Sequence, residues 1–226
     1  MSQAEQAAAR RRERWVLLAV LAGLVAVVVV GGIGIQAWRT GRAPATVAVA
    51  EPSASPVTLA DGQPVTWGAP AAPTVVTVFA DFHCPHCAEF DADYGPVLNS
   101  ARQSGRIRLE VYPMAFIDEG STAAANAFGC AEEAGFGPAY YAGLFGNPML
   151  RWSDDQLLAL PRAVGATPTP AFEACVTGRT LAGWVDSVNA AAAERGVTGT
   201  PTVLIDGAAV DLAELTPDEL ATMINS

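Results

Sequence analysis

The sequence predicts an α/β domain in which a β-α-β unit is followed by a helical insertion, two further strands and a closing helix, all preceded by one N-terminal transmembrane helix. Three observations carry this reading. Val16 to Ile35 is a run of 20 residues without a charged or polar side chain. Thr74 to Ala80 (TVVTVFA) is a continuous apolar and β-branched run that stops just before a helix start, the pattern of a buried central strand. From Ser121 to Arg195 the apolar residues recur at helical spacing.

Residues 1–15 read as a cytoplasmic N-terminus and 16–38 as the anchor. At 1.5 Å per residue the apolar run reaches roughly 30 Å, the thickness of a bilayer's hydrocarbon core. Arg10, Arg11, Arg12 and Arg14 precede it, only Arg39 and Arg42 follow closely, and Trp15 and Trp38 mark the interfaces. A cleaved signal peptide and a buried core helix are the competing readings; the first has a shorter apolar stretch, of roughly 7 to 15 residues, and the second would be apolar on every face. The orientation puts the remaining chain outside the cytoplasm at the cell membrane. Residues 39–56, rich in Ala, Pro, Ser and Thr, form a semi-extended linker. Residues 57–226 are the right size for one domain with its own core.

Within that domain, Asp61-Gly62 between short alternating segments signals a hairpin or an edge strand pair. Thr74–Ala80 and Ile107–Tyr112 read as parallel strands joined by a helix from about Pro85 to Gln103, with Gly95-Pro96 a candidate bend. The insertion, about 115–196, holds helical segments at STAAANAFGCAEEAG, WSDDQLLALPRAV, a stretch through Phe172 and Cys175, and LAGWVDSVNAAAAER. In the last, Leu181, Trp184, Val185, Val188 and Ala192 share one face, and Trp67 and Trp184 read as core. Thr202–Ile205 returns to strand, Asp206-Gly207 turns, and Thr216 with Glu219 forms a capping box ahead of Pro217.

The chemistry is concentrated at Cys84-Pro85-His86-Cys87, after a buried strand and at a helix start. Cys84 falls at the N-cap, Pro85 at the first helical position and Cys87 at the third. A sulfur at the N-cap can accept from first-turn amides and lies at the positive end of the helix dipole, and both effects favour thiolate over thiol. His86 within the bridge adds a donor, while Glu89, Asp91 and Asp93 lie farther along and are expected to be solvated. Cys84 is therefore the expected exposed nucleophile and Cys87 the shielded, resolving thiol. A zinc half-site, a purely structural disulfide and two inert buried thiols are the alternatives; the zinc reading lacks a second ligand pair with metal spacing. Asp81, three residues before Cys84, is a candidate proton acceptor for Cys87 or a cap for the helix. His83 belongs either to the site or to the surface. Phe79, Phe82 and Phe90 read as core or rim.

The stretch FADFHCPHCAEF resembles the active-site segment of the DsbA-like branch of the thioredoxin superfamily, and VTGTPTVLIDG resembles that superfamily's segment ahead of the fourth strand. The resemblance covers roughly Ala72 to Asn225 and implies a thioredoxin fold with a helical insertion, and a membrane-anchored thiol:disulfide oxidoreductase of actinobacterial type. Carried onto this sequence, it makes Pro201 a cis-proline facing the cysteine pair and Thr200 the residue whose backbone pairs with a bound peptide. Threonine at that position also resembles isomerase-like branches. The implied function is introduction of disulfides into unfolded secreted proteins through Cys84 and Cys87, with turnover by a membrane reoxidant of DsbB or vitamin K epoxide reductase-like type. A reductase or isomerase of the same fold, and a non-catalytic tethered peptide-binding or chaperone domain, are the alternatives. No cofactor beyond the redox-active cysteines and no metal is implied.

Cys130 and Cys175 remain. Each sits on an apolar helical face and can be a buried small residue, but an even remaining pair outside the cytoplasm favours a structural disulfide. All 13 cationic residues are arginine, which excludes lysine Schiff-base and P-loop chemistry. The formal charge of −10 argues against nucleic acid as a partner.

Overall fold

The computed structural model describes residues 58–147 and 151–224. The expected N-terminus, anchor and linker, 1–15, 16–38 and 39–56, lie outside the described residues. Among the described residues no helix is long and apolar enough to cross a membrane.

Five strands form one mixed sheet in the order β1-β3-β2-β4-β5, with β1 Val65–Gly68, β2 Thr74–Asp81, β3 Ile107–Met114, β4 Thr202–Ile205 and β5 Ala208–Ala209. β2 pairs in parallel with β3 from Thr74↔Ile107 to Asp81↔Met114, as a strand-helix-strand crossover requires. β1 runs antiparallel to β3, β4 antiparallel to β2, and β5 antiparallel to β4. The crossover is helix α1, Pro85–Gln103, which continues through Pro96. Between β3 and β4 come α2 Glu119–Glu133, α3 Gly137–Phe145, α4 Asp154–Ala163, α5 Pro170–Gly178 and α6 Ala182–Glu194; α7, Pro217–Ile224, closes the chain.

Several boundaries follow from local chemistry. Asp118 and Ser153 each form a capping box, with Ser121 and Gln156, at the starts of α2 and α4. Thr216 and Glu219 do the same for α7. Asp206 and Gly207 both have positive φ, 49° and 83°, which gives the two-residue turn its right-handed twist between β4 and β5. The Asp206 side chain also accepts from Val75 N at 2.8 Å, tying that turn to β2.

Two expectations change. The Asp61-Gly62 turn is present, but no strand precedes it among the described residues, so there is no local hairpin. β1 pairs instead with β3, and Leu59 packs over Gly129 of α2, where a Cβ would meet both Leu59 and Trp184. The other change is α3, absent from the reading of the sequence. Its segment GPAYYAGLF is poor in strong helix formers, and burial of Tyr140, Tyr141, Leu144 and Phe145 supplies what propensity does not.

The core runs from the sheet into the insertion. Trp67, Phe82, Phe128, Tyr141 and Phe145 form an edge-to-face and tilted network with ring centroids 5.0–5.9 Å apart. Phe82, two residues before Cys84, is fully buried within it. The chain entering α1 is thereby anchored to the inserted helices.

Candidate functional site

β2 ends at Asp81, and a short turn of Phe82 and His83 delivers Cys84 to the N-cap of α1 with extended backbone angles, φ −86° and ψ 118°. Cys84 N donates to Asp81 O at 3.0 Å; Cys87 N and Ala88 N then donate to Cys84 O at 3.1 and 3.2 Å, closing the first turn. Pro85 fits the first helical position because its missing N–H is unused there. Cys84 and Cys87 are both free thiols.

The sulfur of Cys84 takes no capping bond from the first-turn amides. Its Sγ–H donates instead to Thr200 O, 3.4 Å away, across 116 positions of sequence. The Thr200-Pro201 peptide bond is cis. Cys84 is 6% exposed and Cys87 1% exposed, so the nucleophile expected at the surface presents only an edge of its sulfur. Burial pushes the Cys87 thiol far up, against the opposing hydrogen bonds of the Thr200 side chain and the Asp81 backbone. The two cysteines are thus unequal: Cys87 holds its proton.

Other expected residues stand in different company. His86 points outward, with its side chain 78% exposed, and pairs with Glu89 at 2.9 Å along the open face of the helix. No hydrogen bond joins it to Cys84; an i,i+3 pair on the solvent side turns the ring away. Asp81 is fully buried. One of its carboxylate oxygens accepts from His83 N at 2.8 Å, the other from Phe116 N and Ile117 N at 2.8 and 3.2 Å. Both oxygens are therefore committed to backbone amides, and the side chain clamps the end of β2 to the segment that leaves β3. Asp91 is not solvated as expected: burial raises its carboxyl to about 6, whereas Glu89 and Asp93 are exposed. Phe79, Phe82 and Phe90 are core.

His83 belongs to the interior. Its Nδ1 lies 2.8 Å from Asp118 Oδ1, and Asp118 also faces Arg151 at 3.6 Å. Asp118 and Arg151 were not singled out in the sequence. Only an Asp three residues before Ser121 hinted at the first, as an N-cap, and nothing local indicated that either would meet residue 83. Cys130 and Cys175 form a disulfide between α2 and α5, with Cα atoms 5.9 Å apart. Among the described residues no group of three or more His, Cys, Asp or Glu is arranged to hold a metal ion.

A pair of thiols at a strand-to-helix turn, one facing a backbone carbonyl and one sealed beneath it, can exchange disulfides but offers little for hydrolysis or group transfer. Comparison with known proteins agrees on the fold. A search of curated proteins finds no match. Among solved structures, the chain is similar to MdbA, a thiol-disulfide oxidoreductase from Actinomyces oris, with 23% identity and a TM-score of 0.64, over 81% of this chain and 99% of that one. It is similar to a disulfide bond oxidoreductase, DsbG, from Mycobacterium tuberculosis (22% identity, TM-score 0.62, 74% of this chain and 88% of the other). BdbD from Bacillus subtilis gives 21% identity and a TM-score of 0.61, covering 75% of this chain and 97% of BdbD. The family description "Thioredoxin" matches residues 60–226. Matched along that length, the chain belongs to the thioredoxin family.

Proposed function

We propose that this protein is a membrane-tethered, extracytoplasmic thiol:disulfide oxidoreductase that introduces disulfides into secreted proteins through Cys84 and Cys87. The observation that carries the proposal is the pairing of Cys84 Sγ with the Thr200 carbonyl at 3.4 Å, with the more deeply buried Cys87 one turn behind. In the oxidised form a client thiolate attacks Cys84 Sγ, a mixed disulfide forms, and Cys87 leaves as a thiolate that takes up a proton. The client's second thiolate then attacks the client sulfur of the mixed disulfide and releases Cys84. Two electrons pass from the client to the pair and one disulfide bond is gained by the client.

The unequal thiols support this order. A strongly raised Cys87 thiol is protonated as soon as it departs, so it does not return to attack the mixed disulfide. The Thr200 carbonyl, once Cys84 no longer donates to it, is an acceptor for the backbone of a bound peptide. Phe116 and Ile117, 45% and 42% exposed, are held by their amides on Asp81, three residues from Cys84. They offer apolar surface to an unfolded client. The apolar run Val16–Ile35 and its arginine flank support the tether, which would hold the domain beside a membrane reoxidant of DsbB or vitamin K epoxide reductase-like type.

The test is the reduction potential of the Cys84–Cys87 couple in the full chain, by equilibration with glutathione. A value near −120 mV, roughly that of strong oxidants, is the expected result. A value near −270 mV, roughly that of thioredoxin, would overturn the oxidase direction in favour of a reductase. Cys84→Ser should abolish exchange; a variant that still rescues clients would point to a peptide-binding or chaperone domain whose cysteine pair is incidental.

A further inference from the structure

Among the described residues three large apolar side chains stand open to solvent: Phe116, Ile117 and Met223, at 45%, 42% and 43% exposed. Two of them are consecutive, in the segment between β3 and α2. That segment is not loose. Four successive amides in it donate to side chains from three elements: Ala115 N to Asn189 Oδ1 of α6 at 3.1 Å, Phe116 N and Ile117 N to Asp81 Oδ2 of β2 at 2.8 and 3.2 Å, and Asp118 N to Ser121 Oγ of α2 at 3.4 Å. A backbone pinned at four points holds its side chains where it puts them. Here it puts a phenylalanine and an isoleucine in water, forgoing the burial that their size rewards.

The same segment borders the redox turn. Asp81 Oδ1 accepts from His83 N at 2.8 Å, and Asp81 O accepts from Cys84 N at 3.0 Å. Three residues beyond Ile117, Gly120 lies against the His83 ring, where a Cβ would collide. One buried aspartate thus fixes both the approach to Cys84 and the amides of the apolar pair. In the sheet β2 lies between β3 and β4, with Asp81 opposite Met114 and Phe79 opposite Thr202, so the segment after β3 and the Thr200-Pro201 turn before β4 stand on the two sides of the end of β2. A client cysteine at Cys84 therefore has the Thr200 carbonyl on one flank and Phe116-Ile117 on the other. An extended chain advances roughly 3.3 Å per residue, so the residues that come within reach of the pair are the first two or three beside the client cysteine.

We propose that Phe116 and Ile117 are specificity-determining residues: they form an apolar subsite for the side chains next to the client's cysteine, so that the protein acts preferentially on cysteines with apolar neighbours. The proposal rests on exchange at Cys84, as argued above, and names the substrate class of that same site. An apolar neighbour leaves water when it meets the pair, whereas a polar one gains nothing there. In a folded client such neighbours are mostly buried, so the subsite also favours chains that have yet to fold.

The test uses the full chain with the Cys84–Cys87 disulfide formed and three thiol probes: a short single-cysteine peptide with leucine on both sides of the cysteine, the same peptide with serine in place of leucine, and glutathione. Each thiolate attacks Cys84, and the rate is read from loss of the Cys84–Cys87 disulfide. The leucine peptide should react about tenfold faster than the serine peptide, the size of effect that one or two apolar contacts supply. Phe116→Ser combined with Ile117→Ser should bring that ratio to within about twofold, whereas Phe116→Leu combined with Ile117→Leu, which keeps apolar surface, should retain most of the preference. Equal rates for the two peptides with the parent protein would overturn the proposal, as would a serine double variant that still prefers leucine. A serine double variant slowed in the same proportion toward both peptides and glutathione would overturn it as well, because the segment would then act on Cys84 and not on the client. A parent protein that reacts with none of the three probes sinks exchange at Cys84, and this inference with it; exchange without preference for leucine sinks this inference alone.

Discussion

Gly120 shows how closely the molecule is fitted around residue 83. A methyl group there would fall well inside contact with the imidazole carbon Cε1. Gly120→Ala is therefore expected to cost about 1–3 kcal/mol, by overpacking a site with no slack. Gly183→Ala, in α6 with open space around the added carbon, should instead stabilise by up to about 1 kcal/mol through helix propensity. Urea denaturation of the two variants reads both signs. The cysteines supply a second pair of contrasts at this scale. Cys84→Ser removes the sulfur that a client thiolate attacks and should leave no exchange, whereas Cys87→Ala keeps the Cys84 thiol, whose thiolate can open a client's existing disulfide, forming a Cys84–client bond and releasing one client thiol, an adduct visible as a shifted band on non-reducing gels. Local sequence made much of this legible. The N-cap position of Cys84 and the first-turn position of Pro85 follow from the junction of a β-branched run with a C-P-H-C stretch, because such preferences act over three or four residues. Asp118 was not legible, because it meets His83 across 35 positions of chain and the meeting depends on how the insertion folds back. Asp91 misled for a related reason: an acid near the start of a helix reads as solvated until another helix covers it.

Among the elements, α3 and its neighbour α2 carry a buried acid with consequences for pH. Glu132 accepts from Trp67 Nε1 of β1 and lies directly over Gly137, the first residue of α3, where any Cβ would collide with the carboxylate. Burial raises its carboxyl to about 7, against the pull of the Trp67 hydrogen bond and of Arg102. The unfolded chain loses this proton near pH 4.5 and the folded chain near 7, so the stability associated with the neutral acid is complete below about 4.5 and is lost as pH rises to about 7. Glu132→Gln keeps an acceptor for Trp67 and cannot ionise. It should flatten the fall in stability between those values and leave the variant more stable than the parent at pH 8 by about 2–3 kcal/mol. Chemical denaturation at pH 4.5, 6 and 8 checks it; equal slopes in the two proteins would refute the assignment. β2, β3 and β4 were read from sequence to within two residues, because β2 is a continuous apolar and β-branched run and β3 alternates buried Ile107, Leu109 and Val111 with Arg108 and Glu110. The Asp61-Gly62 signal read as a hairpin or an edge strand pair: the turn is genuine and β1 is an edge strand, but its partner is 40 or more positions away in β3.

For the molecule as a whole, the disulfide between Cys130 and Cys175 closes a 45-residue interval of the insertion. Replacing both with alanine should lower stability by about 4 kcal/mol if restriction of the unfolded chain is the main effect, and urea denaturation reads the loss directly. The insertion would then be the first part to loosen, and it carries Asp118 and Arg151. Its helical character was legible from periodicity, while the way it wraps the redox turn was not, since packing of aromatic residues such as Phe82, Phe128 and Tyr141 depends on shape rather than spacing. The sheet has another consequence. One of its edges is β5, a strand of only two exposed alanines, and the other is β1, a strand of four residues that follows a proline. Unfolded polypeptides are strands in search of a template, and long open edges recruit them into aggregates. A protein whose proposed clients arrive in that state benefits from edges too short to seed a sheet: it can touch sticky chains repeatedly and let each of them go.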